Sequence, residues 1–372
     1  MSKPVPEPAR ITQDVHADRG SLAIAASGNV TITTEAARRA LLAPLSPPTG
    51  RGPAEPTVRG RDDLLRELRD VYDDPARLPR VRVLVGMGGC GKTTVARELV
   101  RHAVRTGGPA WWISAATADL LTDGMRALAV YLGADPGVLA HSSLPDLLWR
   151  HLTMQTTPWL LVLDNADDPD HVLGPPGGAI TDANGWLRPT PASGMLVVTS
   201  RDRTAVTWAT DWIISHHITN LLAADGAQIL TELAGSAAGT PADAAHLTAR
   251  LGGLPLALRT AGAYLRNAAM IPPWSTGPDT IHTFTEYTTT LDTAPAAPGS
   301  EATLLALVND TWERSLDLLK SRDMPQARPL LRLLACFADA PVPGRLIAEP
   351  GILADAPGLA GLTNTQIWQL LQ

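Results

Sequence analysis

The residues with the clearest chemical potential lie in the stretch GMGGCGKTT, residues 86 to 94. Gly86, Gly91, Lys92 and Thr93 satisfy the spacing G-x-x-x-x-G-K-[ST], in which the glycines let successive backbone N–H groups point inward at phosphate oxygens. Such a lysine bridges the β- and γ-phosphates of a nucleotide, and the threonine hydroxyl ligates Mg²⁺. The simpler alternative is a flexible glycine loop. The apolar run VRVLV before the stretch and the helical pattern VARELV after it favour a phosphate-binding loop.

A second group of candidate residues follows the apolar run WLLVLD. A phosphate-bound metal needs a carboxylate at the end of a neighbouring strand, and Asp164 ends this run. Hydrolytic enzymes commonly carry a second acid at the next position, where it orients the attacking water. Here that position is Asn165, which cannot accept a proton, so the pattern favours slow hydrolysis. Asp167 and Asp168 could act in its place through a water, or they could cap the next turn.

A basic residue, Arg201, follows a third apolar run, MLVVTS. Ligands of open parallel sheets bind at the carboxyl ends of the strands, so this guanidinium is expected at the same edge as Lys92 and Asp164. An arginine is always charged and suits contact with a γ-phosphate. The alternative interpretation is a surface salt bridge.

The apolar runs indicate the elements that must position these residues. VRVLV, AWWIS, WLLVLD and MLVVTS are apolar on both faces and alternate with amphipathic helical segments. This pattern predicts an α/β fold with a parallel sheet covered on both faces by helices. After about residue 215 the strand-like runs end, and the apolar residues follow helical spacing. Pro255 is predicted to lie in the first turn of a helix.

The first 57 residues differ from the rest of the chain. SLAIAASGNVTITT alternates apolar and polar residues around Ser27, Gly28 and Asn29, a hairpin-like pattern, and a proline-rich stretch follows as a linker. The alternative is an unstructured tail, because two strands alone are rarely stable in water.

Bulk composition excludes several classes of protein. The 372 residues are 45 % hydrophobic, enough for two or three cores, and the net charge of −6 gives no general attraction to nucleic acid or anionic membrane. The two cysteines are far apart, so neither a disulfide framework nor a metal knuckle is indicated. There is no signal-peptide core and no run long enough for a membrane helix. We therefore expect a cytoplasmic protein that does not enter a membrane.

Five motifs in order resemble the NB-ARC family of STAND P-loop NTPases, in its bacterial, AP-ATPase-like form. They are VRGRDDLL (58–65), GMGGCGKTT, LLVLDNADD, VVTSR and GGLPLAL (252–258). The resemblance covers roughly residues 57 to 350. It implies a three-layer P-loop NTPase domain with a parallel sheet over 58–214, an α-helical domain over 215–295 and a partial winged-helix domain over 296–372, after an N-terminal segment over 1–57.

The resemblance also implies roles for individual residues. Val58 and Arg61 match positions that flank the adenine and ribose, and Pro255 matches a proline that packs on the base from the helical domain. Lys92, Asp164 and Arg201 match the catalytic positions, and Thr93 and Asp164 match the metal-side positions. The residues predicted to hold ADP or ATP are Val58, Arg61, Gly86, Gly88, Gly89, Cys90, Gly91, Lys92, Thr93, Thr94 and Pro255.

The function implied is a nucleotide-dependent switch. ADP or ATP with Mg²⁺ would set the angle between the domains, and exchange and slow hydrolysis would drive signalling, assembly into a homo-oligomer or contact with protein partners. The chain stops before the position of the family's Met-His-Asp motif, which suggests truncation within the winged-helix domain. That domain carries six basic and eight acidic residues from 301 onward, so direct DNA binding is not predicted.

Two other functions remain open. One is a turnover P-loop ATPase of the partition type, or a small-molecule kinase; the partition ATPases, however, carry an additional lysine where this chain has Met87. The other is a degenerate scaffold that no longer binds nucleotide, against which the intact Lys92, Thr93 and Asp164 argue.

Overall fold

The computed structural model describes residues 45, 58–135, 143–271 and 280–292, and parts of the remainder: 306, 309, 312–317, 319–320, 324–336, 347, 353, 356 and 358–371. The predicted N-terminal hairpin and the linker fall outside the described residues. Leu45 is the exception; it is buried in the same core as the strand residue Val83.

The strands are β1 (Val81–Val85), β2 (Ala110–Ser114), β3 (Trp159–Asp164), β4 (Gly194–Ser200) and β5 (Ile213–His217). They form one parallel sheet in the order β2-β3-β4-β1-β5. The four apolar runs are confirmed as β1 to β4. β5 is an edge strand that was not predicted. It spans the predicted boundary, between residues 214 and 215, of the NTPase domain and the helical domain. Its exposed residues alternate with less exposed ones, which explains why it lacks a continuous apolar run.

Helices cover both faces of the sheet, as predicted. They are α1 (Asp62–Asp73), α2 (Lys92–Arg105), α3 (Ala118–Tyr131), α4 (Leu144–Thr153) and α5 (Pro169–Leu173). Successive strand residues point to opposite faces. Leu84 and Val197 pack in the core that contains α1 and α2, whereas Val83 and Val198 pack in the core that contains α3, α4 and α5. The domain is therefore a three-layer α/β/α structure.

Four helices follow the sheet: α6 (Ala223–Ala234), α7 (Pro241–Arg250), α8 (Pro255–Ala269) and α9 (Phe284–Asp292). A capping box between Thr240 and Asp243 begins α7, and Pro255 lies in the first turn of α8 as its fixed φ allows. Buried residues such as Leu258 and Leu265 join the core formed by α1 and α2. The helical segment is thus packed against one face of the sheet domain.

Among the described residues of the last part of the chain are the short helices α10 (Ala327–Leu334) and α11 (Asn364–Leu371). Leu330, Ile347 and Ile367 belong to a separate small core there. A winged-helix arrangement remains a prediction for this part. Within the described residues, no helix combines the length and the apolar character needed to cross a bilayer.

A buried arginine, Arg80, joins the end of α1 to the sheet. Its side chain is only 2 % exposed. The guanidinium donates to Gly194 O at 2.7 Å at the start of β4, and to the carbonyls that end α1: Val71 at 2.6 Å, Tyr72 at 3.1 Å and Asp74 at 2.7 Å. Val71 and Tyr72 offer carbonyls of the kind that a helix end leaves without a partner, whereas Asp74 O also accepts from Arg77 N at 3.1 Å. Arg80 therefore acts as a C-terminal cap for α1.

Replacing Arg80 by methionine should lower the free energy of unfolding by about 2–4 kcal/mol, because buried carbonyls lose their donor. Arg77→Met is the matched control, since Arg77 is half-exposed and forms surface ion pairs with Asp70 and Asp74, for which we expect a loss below about 1 kcal/mol. Urea denaturation measures both variants. Equal losses would contradict the capping role.

Candidate functional site

The phosphate loop connects β1 to α2 and takes a conformation that requires glycine. Gly89 has φ +79° and Gly91, the N-cap residue of α2, has φ +103°. These left-handed values cost little for glycine and more for other residues. A Cβ on Gly86 would lie 2.6 Å from Ile218 O, so the loop start has no room for a side chain. The glycine spacing in the sequence thus has a local steric cause.

Lys92 is the first residue of α2 and is 7 % exposed. Its ammonium donates to Gly86 O at 2.8 Å and to Met87 O at 3.0 Å. Burial lowers the pKa of Lys92 below its usual value, while the neighbouring Cys90 and Asp167 act in the opposite direction. The charge therefore lies inside the loop, and the loop carbonyls compensate for part of its desolvation.

Asp164 ends β3 and is held by two hydroxyl groups. It is 5 % exposed. Thr199 donates to its Oδ1 at 2.5 Å, and Thr93 donates to the same oxygen at 3.1 Å. Thr199 also accepts from the backbone N–H of Asn165 at 2.9 Å. A threonine of the neighbouring strand therefore fixes both the carboxylate and the residue that follows it.

Thr93 and Asp164 form a donor set that suits Mg²⁺. Both offer hard oxygen atoms, and Mg²⁺ typically takes one or two protein ligands while water and phosphate oxygens complete its octahedron. The described residues hold no cluster of three or more His, Cys, Asp or Glu side chains that could chelate a metal unaided. This fits a metal that is shared with a phosphate ligand.

The strand order corrects one expectation. We expected Asp164 at the end of a strand that neighbours β1, but β4 lies between β1 and β3. β1 lies between β4 and β5, and β4, the strand that precedes Arg201, pairs Ser200 with Val85. Arg201 therefore lies beside the start of the phosphate loop, and Asp164 lies one strand further away.

Arg201 pairs with Asp167 in this structure. The backbone N–H of Arg201 donates to Asp167 Oδ1 at 2.8 Å, and its Nε lies 3.0 Å from Asp167 Oδ2. A Cβ on Gly88 would lie 3.5 Å from the Arg201 Cζ, so the guanidinium contacts the phosphate loop. Asp168, not Asp167, is at the N-cap position of α5, and its side chain makes no capping bond. Contact of Arg201 with a γ-phosphate remains a prediction.

An open pocket with a volume of about 470 Å³, measured out to the solvent, lies beside the phosphate loop. Six predicted nucleotide-binding residues line it: Val58, Arg61, Cys90, Gly91, Thr94 and Pro255. The remaining wall is formed by Arg59, Leu221, Ile229 and Arg259, which sequence analysis did not select. The structure thus brings together residues from both the sheet domain and the helical segment.

Arg61 joins three separate segments at this pocket. Its guanidinium donates to Gly60 O at 3.2 Å, to Cys90 O at 3.4 Å and, through a short bond, to Thr219 O. Burial lowers the pKa of Arg61, while Cys90 and Asp225 raise it. The hydrogen bonds of Arg61 in this structure go to backbone carbonyls, so its geometry indicates a role in shaping the pocket wall.

The start of α8 contacts the phosphate loop directly. Leu256 N donates to Gly89 O at 3.2 Å. A Cβ on Gly89 would lie 2.8 Å from the Leu256 Cβ. Gly252 and Gly253, both with φ above +60°, form the turn before α8, and Gly253 O accepts from Leu221 N at 2.8 Å. The GGLPLAL motif therefore places α8 against the loop.

Two kinds of residue at the site were not predicted from the sequence. Thr199 could have been found as a polar residue inside the buried run MLVVTS, where an unpartnered hydroxyl would be costly. Arg259 lies four residues after Pro255, on the same helix face, which predicts its position on the pocket wall. Ile229 follows the helical spacing of α6 and Leu221 precedes that helix, but neither pattern predicts a pocket wall, because that depends on how α6 packs.

Thr199→Val should lower the free energy of unfolding by about 1–3 kcal/mol, because the buried Asp164 carboxylate and the Asn165 N–H lose a partner. Thr248→Val is a matched control. Thr248 is also fully buried, but its hydroxyl donates to Ala244 O, a helix carbonyl, so removing it should matter less. Urea denaturation compares the two. A larger loss for Thr248→Val would contradict this account of Thr199.

Gly89→Ala should destabilise the protein by about 1–3 kcal/mol more than Gly107→Ala, because its Cβ would overlap Leu256. Gly107 is the control since it also has a positive φ, +87°, but no atom lies within 4 Å of its Cβ position. Thermal unfolding midpoints of the two variants give the comparison. Equal shifts of the two midpoints would mean that backbone strain at positive φ causes the destabilisation and that the overlap with Leu256 adds nothing.

Comparison with known proteins agrees with a nucleotide-binding loop. Residues 57–190 match the family model of the AAA ATPase domain, which is less than half of the chain. No curated protein matches the chain in sequence.

Several solved structures are similar in fold. A STAND protein with a tetratricopeptide repeat sensor from Pyrococcus horikoshii is 13 % identical with a TM-score of 0.40; the match covers 82 % of this chain and 53 % of that protein, so this chain spans about half its length. The ORC2 protein of Aeropyrum pernix, solved in ADPNP-ADP complexes, is 17 % identical with a TM-score of 0.41 over 64 % of this chain and 70 % of that one. Cdc6p from Pyrobaculum aerophilum is 16 % identical with a TM-score of 0.39 over 74 % and 90 %.

Because these TM-scores are low, the fold assignment rests on the strand order and the loop of this chain itself. The glycine loop between β1 and α2, the parallel five-stranded sheet and the family match agree with one another. Residues 57–190 therefore combine a match to the AAA ATPase domain with a glycine loop that follows the first strand of a parallel sheet.

Proposed function

We propose that this protein is a nucleotide-dependent switch of the NB-ARC/STAND type. The observation that carries the proposal is the pocket beside the phosphate loop, because its walls come from both the sheet domain and the helical segment. A ligand that contacts both can change the equilibrium between their arrangements by as much as its affinity for those arrangements differs. A ligand held by the loop alone would not change this equilibrium through contacts with both parts.

ADP or ATP with Mg²⁺ is the proposed ligand. Loop N–H groups and the N-terminus of α2 would hold the phosphates, with Lys92 as the charged contact. Thr93 and Asp164 would hold the metal. The base would lie against Val58 and Pro255, where the pocket is apolar. Gly86, Gly88, Gly89, Cys90, Gly91 and Thr94 supply the surrounding backbone.

Slow hydrolysis is part of the proposal. Asn165 cannot accept a proton from an attacking water, and its backbone N–H is engaged by Thr199. Asp167, the nearby acid that could replace it, is engaged with Arg201. We therefore expect the γ-phosphate to persist long enough to define a state of the protein.

The proposed units are a nucleotide-binding domain over 58–214, a helical domain over 215–295 and a partial winged-helix domain over 296–372. Homo-oligomerisation on activation, protein partners and a cytoplasmic location stay predictions.

A turnover ATPase is the second candidate, favoured by the match to the AAA ATPase domain. Nucleotide release separates the two functions: the protein is purified without added nucleotide and denatured, and the released nucleotide is identified by chromatography. Near-stoichiometric ADP, with phosphate release far below the roughly 1 s⁻¹ of ordinary enzymes, is the result expected for a switch. An empty site with rapid, Lys92-dependent phosphate release would overturn the switch in favour of the enzyme.

Lys92→Ala should abolish stabilisation by nucleotide. At a nucleotide concentration 100 times Kd, the wild-type protein should gain about 2.7 kcal/mol of stability, since the ligand binds only the folded state. Lys320→Ala is the control, because the chain has three lysines and Lys320 is exposed in the last part of the chain. Thermal unfolding of protein from which bound nucleotide has been removed, with and without added ADP and Mg²⁺, measures the effect. If the wild-type midpoint does not move, the chain is a scaffold that does not bind nucleotide.

A further inference from the structure

We infer that Asp167 competes with the γ-phosphate for Arg201 and so biases the site toward nucleoside diphosphate. This inference rests on the proposed function. It gives Asp167 a role other than substitute acid or turn cap: its carboxylate binds the guanidinium that a third phosphate would otherwise attract.

The first support is the way in which Asp167 is held. The carboxylate makes two contacts with one residue: it accepts a hydrogen bond from the Arg201 backbone N–H at 2.8 Å, and it forms an ion pair with the Arg201 Nε at 3.0 Å. The backbone around it is fixed as well, because Ala166 N donates to Thr199 O and Asp167 N donates to Asn165 O, both at 2.9 Å. The carboxylate is therefore anchored to backbone on both sides, whereas the guanidinium is at the end of a flexible side chain.

The second support is the place of the ion pair. Arg201 follows β4, and the guanidinium lies within 3.5 Å of a Cβ placed on Gly88 in the phosphate loop. Asp167 also raises, and Arg201 lowers, the pKa of Lys92, although burial has the larger effect. Both members of the pair therefore lie near enough to the loop lysine to act on phosphates bound there.

The third support is that the pair can exchange at low cost. The side chain of Arg201 is 63 % exposed and that of Asp167 is 38 % exposed. Exposed ion pairs contribute about 0.2–1 kcal/mol. A γ-phosphate carries more negative charge than a carboxylate and offers several oxygens to a guanidinium. Arg201 could thus turn from Asp167 to the phosphate while its backbone N–H remains bonded.

Asp167 would also repel bound phosphates directly, and this effect must be separated from competition for Arg201. Simple repulsion acts whether or not Arg201 is present. Competition requires the guanidinium. A double-mutant cycle with Arg201→Ala distinguishes the two, because it isolates the term that depends on both residues.

The experiment measures Kd for ADP and for the β,γ-imido analogue of ATP, each with Mg²⁺, in the full chain. Asp167→Asn keeps an oxygen for the Arg201 N–H but removes the charge. We expect the preference for the triphosphate over ADP to rise about two- to fivefold. Asp168→Asn, at the adjacent position, is the charge-matched control and should leave the preference unchanged.

In the Arg201→Ala background, Asp167→Asn should change the preference by a smaller factor, because only direct repulsion then remains. If it changes the preference there by the same factor, Asp167 acts by repulsion alone and the inference is wrong. An unchanged preference in Asp167→Asn with Arg201 intact would also overturn it. Thermal midpoints without nucleotide verify that each variant folds. Failure of the proposed function looks different, because the wild-type protein itself would then either bind neither nucleotide or hydrolyse ATP rapidly.

Discussion

The parallel register of three strands determines where the charged groups of the site lie. β1 pairs with β4 so that Val85 is opposite Ser200, and β4 pairs with β3 so that Val198 is opposite Leu163. The residues that follow continue this alignment. The phosphate loop begins beside Arg201, and Asp164 lies beside Thr199. A shift of one residue in either pairing would turn these side chains to the other face of the sheet and separate them.

The cations of the site are already satisfied by the protein. Lys92 donates to loop carbonyls, and Arg201 binds Asp167. Binding of the proposed nucleotide would therefore exchange partners, and its net free energy would be smaller than the new contacts alone would suggest. Exchange also allows discrimination, because the diphosphate and the triphosphate need not displace the same internal partners.

The helical segment adds a second constraint to the loop. Leu256 approaches Gly89 so closely that the loop has no space for a Cβ, and the double-glycine turn before α8 is bonded to the chain after β5. Movement of α8 would therefore change contacts with the loop backbone itself. Packed contacts of this kind tend to have discrete arrangements rather than deform continuously, which suits a two-state device. The pocket wall and the loop are therefore coupled through direct packing and hydrogen-bond contacts.

The sequence by itself determined the features that depend on local physics. Apolar runs of five or six residues specified β1 to β4. Glycine spacing specified the loop because Gly89 and Gly91 need positive φ, and Pro255 marked the start of α8. Tertiary structure alone decided the strand order with β4 between β1 and β3, the position of Thr199 on Asp164, and the pairing of Arg201 with Asp167. These contacts join residues 34 or 35 positions apart. No short-range periodicity encodes them, since they arise only when whole elements pack in one order and one register.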